Sequence, residues 1–390
     1  MISSRLPKSL TPNAVARAIA AKRRSGTAIL DLTETNPTGV GLTYPKEILA
    51  PLSNARALEY DPQPLGLWSA RAAVAADFRR RGIVISADRV ALTSSTSEAY
   101  ALLFKLLCDA GDAVLVPQPS YPLFEHLTQL ESVTAIPYPL EYHGCWRIDV
   151  ESLATAATDR VRAILIVSPN NPTGSFLHRD DLEAISALAL ARGWAIIGDE
   201  VFADYPLDAA PNATQVLAGA EVLTFSLGGL SKSAGLPQLK LGWIGFGGPA
   251  ATVDEAIAAY EIVADTYLSV STPVQAAAAE LIEHGAAIRS QIQSRIRRNL
   301  GSLRQIASAH PAAGVLPIEG GWSAIIQVPQ IHAEESLVLD LLEKDDVLVH
   351  PGYFFDFDRE AFVIVSLLVE PTMFDQGVTR VLTRAAGAAS

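Results

Sequence analysis

Between about residue 60 and residue 250, short runs rich in apolar and β-branched residues alternate with stretches of helical period. WSARAAVAADFRRR (68–81) predicts a helix with a basic end. DRVALTSS (88–95) predicts a strand that runs into an amphipathic helix, SEAYALLFKLLCDAG, closed at Gly111. Further strands are expected at DAVLVP (112–117), VTAIPYPL (133–140), VRAILIVS (161–168), WAIIGDE (194–200), EVLTFSL (221–227) and KLGWIGFG (240–247).

Most of these runs are continuously apolar rather than alternating, which is the mark of strands covered on both faces. Strands of that kind separated by helices build a mostly parallel central sheet between helices, an α/β domain. After residue 250 the pattern changes. Residues 251–310 are largely helical, and 314–370 hold shorter strands, among them GGWSAIIQV and AFVIVSLL, around a helix near 334–344. The expected division is an N-terminal segment (1–45) that packs with a small domain, a large domain (46–265), and a smaller α+β domain (266–390).

Composition narrows the function. With 30 basic and 42 acidic residues among 390, the formal charge is −12, which argues against a nucleic-acid or anionic-membrane partner. Two cysteines, Cys108 and Cys145, are too few for a disulfide framework and suit a reducing compartment. The opening MISSRLPKSLTPN lacks the apolar core of a secretory signal, and no apolar run reaches the ~20 residues that span a bilayer, so a soluble cytoplasmic protein is expected. His126, His143 and His350 are scattered without metal-ligand spacing, and no metal site is expected.

In parallel sheets ligands sit beyond the carboxyl ends of the strands, so the polar residues there should form one chemical set. After DRVAL come Ser94, Ser95, Thr96 and Ser97, which open a helix; such a place binds anions through free N–H groups, and equally it is where hydroxyl residues cap helices. After VRAILIV comes SPNNPTG (168–174), a rigid turn holding Asn170 and Asn171. WAIIG ends in Asp199 and Glu200. EVLTFSL runs into SLGGLSKSAGLPQLK, where Lys232 stands alone among small and apolar residues. A lysine buried there must be paired or give up its charge, and a lysine with a depressed pKa is a nucleophile. An anion site, an amide, a carboxylate and a reactive lysine are together what a pyridoxal 5′-phosphate site needs.

The motifs NNPTG, Asp199–Glu200, SKSAGLPQLKLGW and the Tyr60–Gly66 spacing occur in an order that resembles the class I/II aminotransferases, a family of fold-type I pyridoxal-phosphate enzymes, over essentially the whole chain. The resemblance implies an aspartate-aminotransferase-like fold and a ping-pong transfer of an amino group from an amino donor to a 2-oxo acid. It makes Lys232 the lysine that forms the imine with the cofactor and later shuttles the proton. Asp199 becomes the partner of the pyridine nitrogen, Asn171 a donor to the ring hydroxyl, and Tyr121 the aromatic stacked on the ring. Ser95, Thr96, Ser231 and Lys240 form the phosphate cup. Tyr60 reaches the phosphate of a neighbouring subunit, which implies a homodimer. Thr35, Asn36, Tyr44, Trp322 and Tyr353 are candidates for the substrate wall.

Four positions depart from the family pattern. Phe202 stands where a tyrosine usually donates to the ring hydroxyl, and Tyr205 is the only hydroxyl nearby in sequence. Gly229 replaces a frequent hydroxyl residue three before the lysine. Lys240 replaces an arginine, keeping the charge but losing the planar fork. Ile364, in FVIVSLL, falls where an arginine usually grips the substrate carboxylate, and Arg359 is the nearest candidate to take over. The missing arginine keeps two alternatives open: a lyase or decarboxylase on the same fold, or a transaminase for an atypical substrate.

Overall fold

The computed structural model describes residues 2–219, 221–330 and 333–387. Eight strands form one large sheet, in the spatial order Val90–Thr93, Gly242–Gly247, Thr224–Gly229, Ala195–Asp199, Val161–Val167, Ala113–Gln118, Thr134–Tyr142 and Trp146–Ile148. The central pairings, from Thr224–Gly229 across to Thr134–Tyr142, are parallel. Those involving Gly242–Gly247 and Trp146–Ile148 are antiparallel. The segment carrying Lys232 joins Gly242–Gly247 to the strand before as an antiparallel neighbour.

Continuous apolar runs do mark strands covered on both faces. Leu115, Ile164, Leu165, Ile196, Ile197 and Phe225 are fully buried, each worth roughly 1.5–3 kcal/mol relative to exposure. Thr134–Tyr142 differs, with exposed residues alternating along it, because only a three-residue strand lies beyond it. The helix Trp68–Arg80 buries Ala70, Val74 and Phe78 at four-residue spacing and packs on the long helix Ala278–Ala307. The helix after Ser95 ends earlier than expected. It spans Thr96–Leu107, and the extended conformation of Cys108 terminates it; Gly111, at φ +89°, belongs to the following turn.

A second, antiparallel sheet joins Gly314–Val315, Ser323–Gln327, Phe362–Ser366 and His350–Pro351. Leu30–Asp31 pairs in parallel with Val347–Leu348, so the early chain is tied to residues more than 300 positions later. The helix Glu334–Asp345 lies near its expected place, and a C-terminal helix, Pro371–Gly387, follows the last strand. Among the described residues no helix is long and apolar enough to cross a membrane.

Candidate active site

Register places the polar groups together. Val167 pairs with Asp199, and Asp199 with Leu227, so three parallel strands end level with one another. The chain leaving Val167 makes the NNPTG turn, and the chain leaving Leu227 reaches Lys232 within five residues. Gly198 makes room for this edge. A Cβ there would lie 2.5 Å from both γ-carbons of Val216, closer than packing allows.

These ends open into a cavity of about 370 Å³ whose lining includes Thr35, Ser95, Thr96, Tyr121, Asn171, Asp199, Ser231, Lys232 and Trp322. A larger recess, about 530 Å³, lies beside the C-terminal helix. It holds neither the lysine nor the aspartate, and Arg384 within it is already paired with Asp345 and Asp340.

Lys232 sits on the short helix Leu230–Ser233. Burial pulls its pKa below the ordinary lysine value, and the charge of Asp199 opposes that shift. Its Nζ lies 5.0 Å from the ring centroid of Trp322 and 5.5 Å from that of Phe202, with no hydrogen bond to any described residue. The turn beneath it is held from three directions. Tyr205 donates to the Lys232 carbonyl, Arg289 to that of Ser233, and Tyr44 to that of Gly235.

Burial raises the pKa of Asp199 to about 6, against hydrogen bonds from the Val201 N–H and the Tyr100 hydroxyl (3.1 Å) and the charge of Lys232. Asp199 and Lys232 thus influence each other without forming an ion pair among the described residues. Glu200 takes no part in the cavity. It is buried behind the strand, accepting from the Val216 N–H and the Ser226 hydroxyl.

The two asparagines divide the work. Asn170 holds the turn, accepting from the Thr173 N–H and hydroxyl. Asn171 faces the cavity, and its Oδ1 accepts from Ser323 Oγ at 3.0 Å. At the helix start, Ser95 Oγ caps the Glu98 N–H, while Glu98 accepts from the Ser94 N–H and from Ser269. Capping engages Ser95 Oγ as an acceptor and leaves its O–H free to donate, and Ser95, Thr96 and Ser97 all line the cavity. Gly242 lets the neighbouring strand come close there, since a Cβ would lie 3.0 Å from Thr93 Oγ1 and 3.1 Å from the Ser95 carbonyl carbon.

Several expected residues lie elsewhere. Asn36 caps its own turn through Thr38. Lys240 is exposed in a left-handed conformation and does not line the cavity. Tyr60 is 81% exposed and borders a separate recess with Asp61 and Gln275. Tyr353 is exposed, and Tyr44 lies under the lysine turn rather than on the wall. Arg359 does not reach in; its guanidinium rests over the Phe362 ring, 5.2 Å from the centroid. Ile364 is buried in an apolar cluster with Ile325, Phe355, Phe357 and Phe362 and brings no charge to a carboxylate. Tyr205, whose hydroxyl is spent on the Lys232 carbonyl, does not replace the one absent at Phe202.

Two polar residues of the cavity, Tyr100 and Ser323, were not among those expected. Tyr100 follows Thr96 by four positions and so shares its helix face, a signal present in SEAYALLF. Ser323 carries no comparable signal, because its partner Asn171 is 152 residues away.

The set fits pyridoxal phosphate on its own geometry. An amine without a hydrogen-bond partner and a buried carboxyl share one cavity unpaired, and a helix N-terminus with hydroxyls stands at its edge. Known proteins agree. The sequence model of "Aminotransferase class I and II" matches residues 51–381. The glutamate-pyruvate aminotransferase AlaA of Escherichia coli K12 is 27% identical over 351 residues, covering 88% of this chain and 87% of that one. The alanine aminotransferase of Mycobacterium tuberculosis H37Rv is 28% identical over 347 residues, covering 85% and 80%. Among solved structures, the alanine aminotransferase of Pyrococcus furiosus superposes with a TM-score of 0.87 at 23% identity, covering 99% of each chain. The chain belongs to the class I and II aminotransferases, pyridoxal-phosphate-dependent enzymes that exchange amino groups between amino acids and 2-oxo acids.

Proposed function

Within this family, we propose that Lys232 is the amine that holds the cofactor and moves the proton, and that Asp199 is the carboxylate that keeps its pyridine nitrogen charged. The observation that carries this reading is their shared cavity, where burial lowers the pKa of one and raises that of the other. When bound, pyridoxal phosphate supplies an aldehyde that takes up amines and a ring that accepts the electron pair left on the amino-bearing carbon.

The remaining residues orient and exclude. Asn171, fixed by Ser323, presents its amide to the cavity. Tyr121 supplies a flat face. The Thr96 end of the helix, with Ser95 and Ser231, offers N–H groups and hydroxyls to a phosphate. Lys240, exposed beyond this edge, adds positive charge from outside the cavity. Tyr60, exposed in one chain, enters this reading as a phosphate ligand of a second copy, so the working unit is a homodimer. The large sheet with its helices (46–265) carries this chemistry, and residues 1–45 and 266–390 form the substrate-facing part.

A single turnover tests the reaction type. An amino acid given to the loaded enzyme without acceptor should bleach the visible cofactor band once and release one equivalent of 2-oxo acid. Product formed repeatedly without bleaching would assign a lyase or decarboxylase instead. Sedimentation should give a dimer; a monomer with full activity would remove Tyr60 from the site.

A further inference from the structure

We propose that Phe202 and Trp322 make this a site for amino donors whose side chain carries no negative charge, so that glutamate and aspartate are poor substrates. The inference rests on the assignment of Lys232 made above. A donor's amine must come to the place the Lys232 amine occupies, because both attach to the same cofactor carbon. That place is 5.0 Å from the centre of one aromatic ring and 5.5 Å from the centre of another. Ring faces carry the negative end of a quadrupole, so they attract a cation and disfavour an anion. Substituents on the amino-bearing carbon therefore meet rings that favour apolar groups and oppose a carboxylate.

No cation offsets this. Asp199 and Lys232 are the only charged residues lining the cavity, among those described. The arginines of the neighbouring elements are committed elsewhere. Arg289 serves the Ser233 carbonyl and lies near Asp204; Arg295 donates to the carbonyls of Val40, Leu368 and Val369; Arg359 lies over Phe362. The segment around Tyr60, assigned to a second copy, reads Glu59–Tyr60–Asp61 and brings acid rather than base. One α-carboxylate can use neutral donors, since the Thr35 hydroxyl and the N–H groups of the Asn171 amide line the cavity. A second carboxylate would be desolvated against rings with no partner.

Two measurements on the loaded enzyme test this. In the first, bleaching of the cofactor band is titrated with phenylalanine, leucine, glutamate and aspartate. Half-saturation is expected at concentrations at least about tenfold lower for the uncharged pair. In the second, two acids that cannot react, 3-phenylpropionate and succinate, are compared by thermal shift. Only the first should stabilise the enzyme at matched concentration. Glutamate bleaching as readily as phenylalanine, or succinate stabilising as strongly as 3-phenylpropionate, would overturn the proposal. Should no amino acid bleach the band, the transaminase assignment fails, and the pair of acids still decides the charge preference. In Phe202→Leu and Trp322→Leu the preference ratio should fall toward one, and a ratio kept in both would show that the rings only pack. If either variant does not fold, the acids on the unmodified enzyme decide alone.

Discussion

At the carboxyl edge of the eight-stranded sheet three neighbouring strands hand the chain to polar groups: Asn171, Asp199 and Lys232. Across the cavity, the four-stranded sheet ends differently. Its strand Phe362–Ser366 is buried throughout, and only Ser323 and Trp322 of its neighbour reach the cavity. One wall carries an amide, a carboxyl and a lysine, and departs from the family pattern only around them, at Phe202, Gly229 and Lys240. The other, where a guanidinium would hold a carboxylate, is filled by Ile364 among aromatic rings. The contrast is that one wall keeps the amide, carboxyl and lysine the family pattern expects, while the other has lost its arginine to Ile364.

Asp199→Ala should have the largest effect, since the proposed role of this carboxylate is to keep the ring nitrogen charged. A fall in kcat of about 10²–10⁴-fold is expected, with the fold retained by circular dichroism. Normal turnover by this variant would mean that the chemical wall has been assigned to the wrong carboxylate.

The converse change sharpens the other side. Ile364→Arg places a charge in the apolar cluster of Phe355, Phe357 and Phe362. Destabilisation of roughly 3–5 kcal/mol is expected by chemical denaturation. A stable variant that binds dicarboxylic donors better would show that this position remains a carboxylate site in waiting, and would erase the contrast.

Ionisation gives a third test. The carboxyl of Asp199 is raised to about 6 in the folded chain, above its unfolded value. Its contribution to stability is therefore complete below about pH 4 and is lost as pH rises through about 6. In the cofactor-free protein, Asp199→Asn should be more stable than the parent above pH 6, by on the order of 3 kcal/mol, and equal to it near pH 4. A difference independent of pH would place the carboxyl in a wetter setting than its burial implies.

The smallest effect belongs to Arg359. Its guanidinium lies over Phe362 outside the cavity, so Arg359→Ala should leave KM within about twofold and stability within ~0.5 kcal/mol. A sharp rise in KM would return the carboxylate grip to this loop.

The chemical wall was legible in the sequence for a physical reason. Strands buried on both faces must be continuously apolar, so the polar residues that follow each run stand out: Asn170 and Asn171 in the turn after one, Asp199 at the tip of another, and Lys232 alone among small residues after a third. The strand Gly242–Gly247 was also visible, but its reversed direction was not, because an apolar run looks the same in either sense. The substrate wall was harder to find. Trp322 and Ser323 follow two glycines near a strand start, and what they touch, Phe202, Tyr205 and Asn171, lies 117 to 152 positions away. Asn36 and Arg359 looked like wall residues by their chemistry alone. Local turn capping and a neighbouring ring had already claimed them.

The most direct test of the account is to treat the loaded enzyme with borohydride, digest it, and weigh the peptides. The reduced cofactor should be attached to the peptide carrying Lys232, and Lys232→Ala should retain none. Attachment at another lysine, such as the exposed Lys240, or no attachment to the unmodified enzyme, would contradict it.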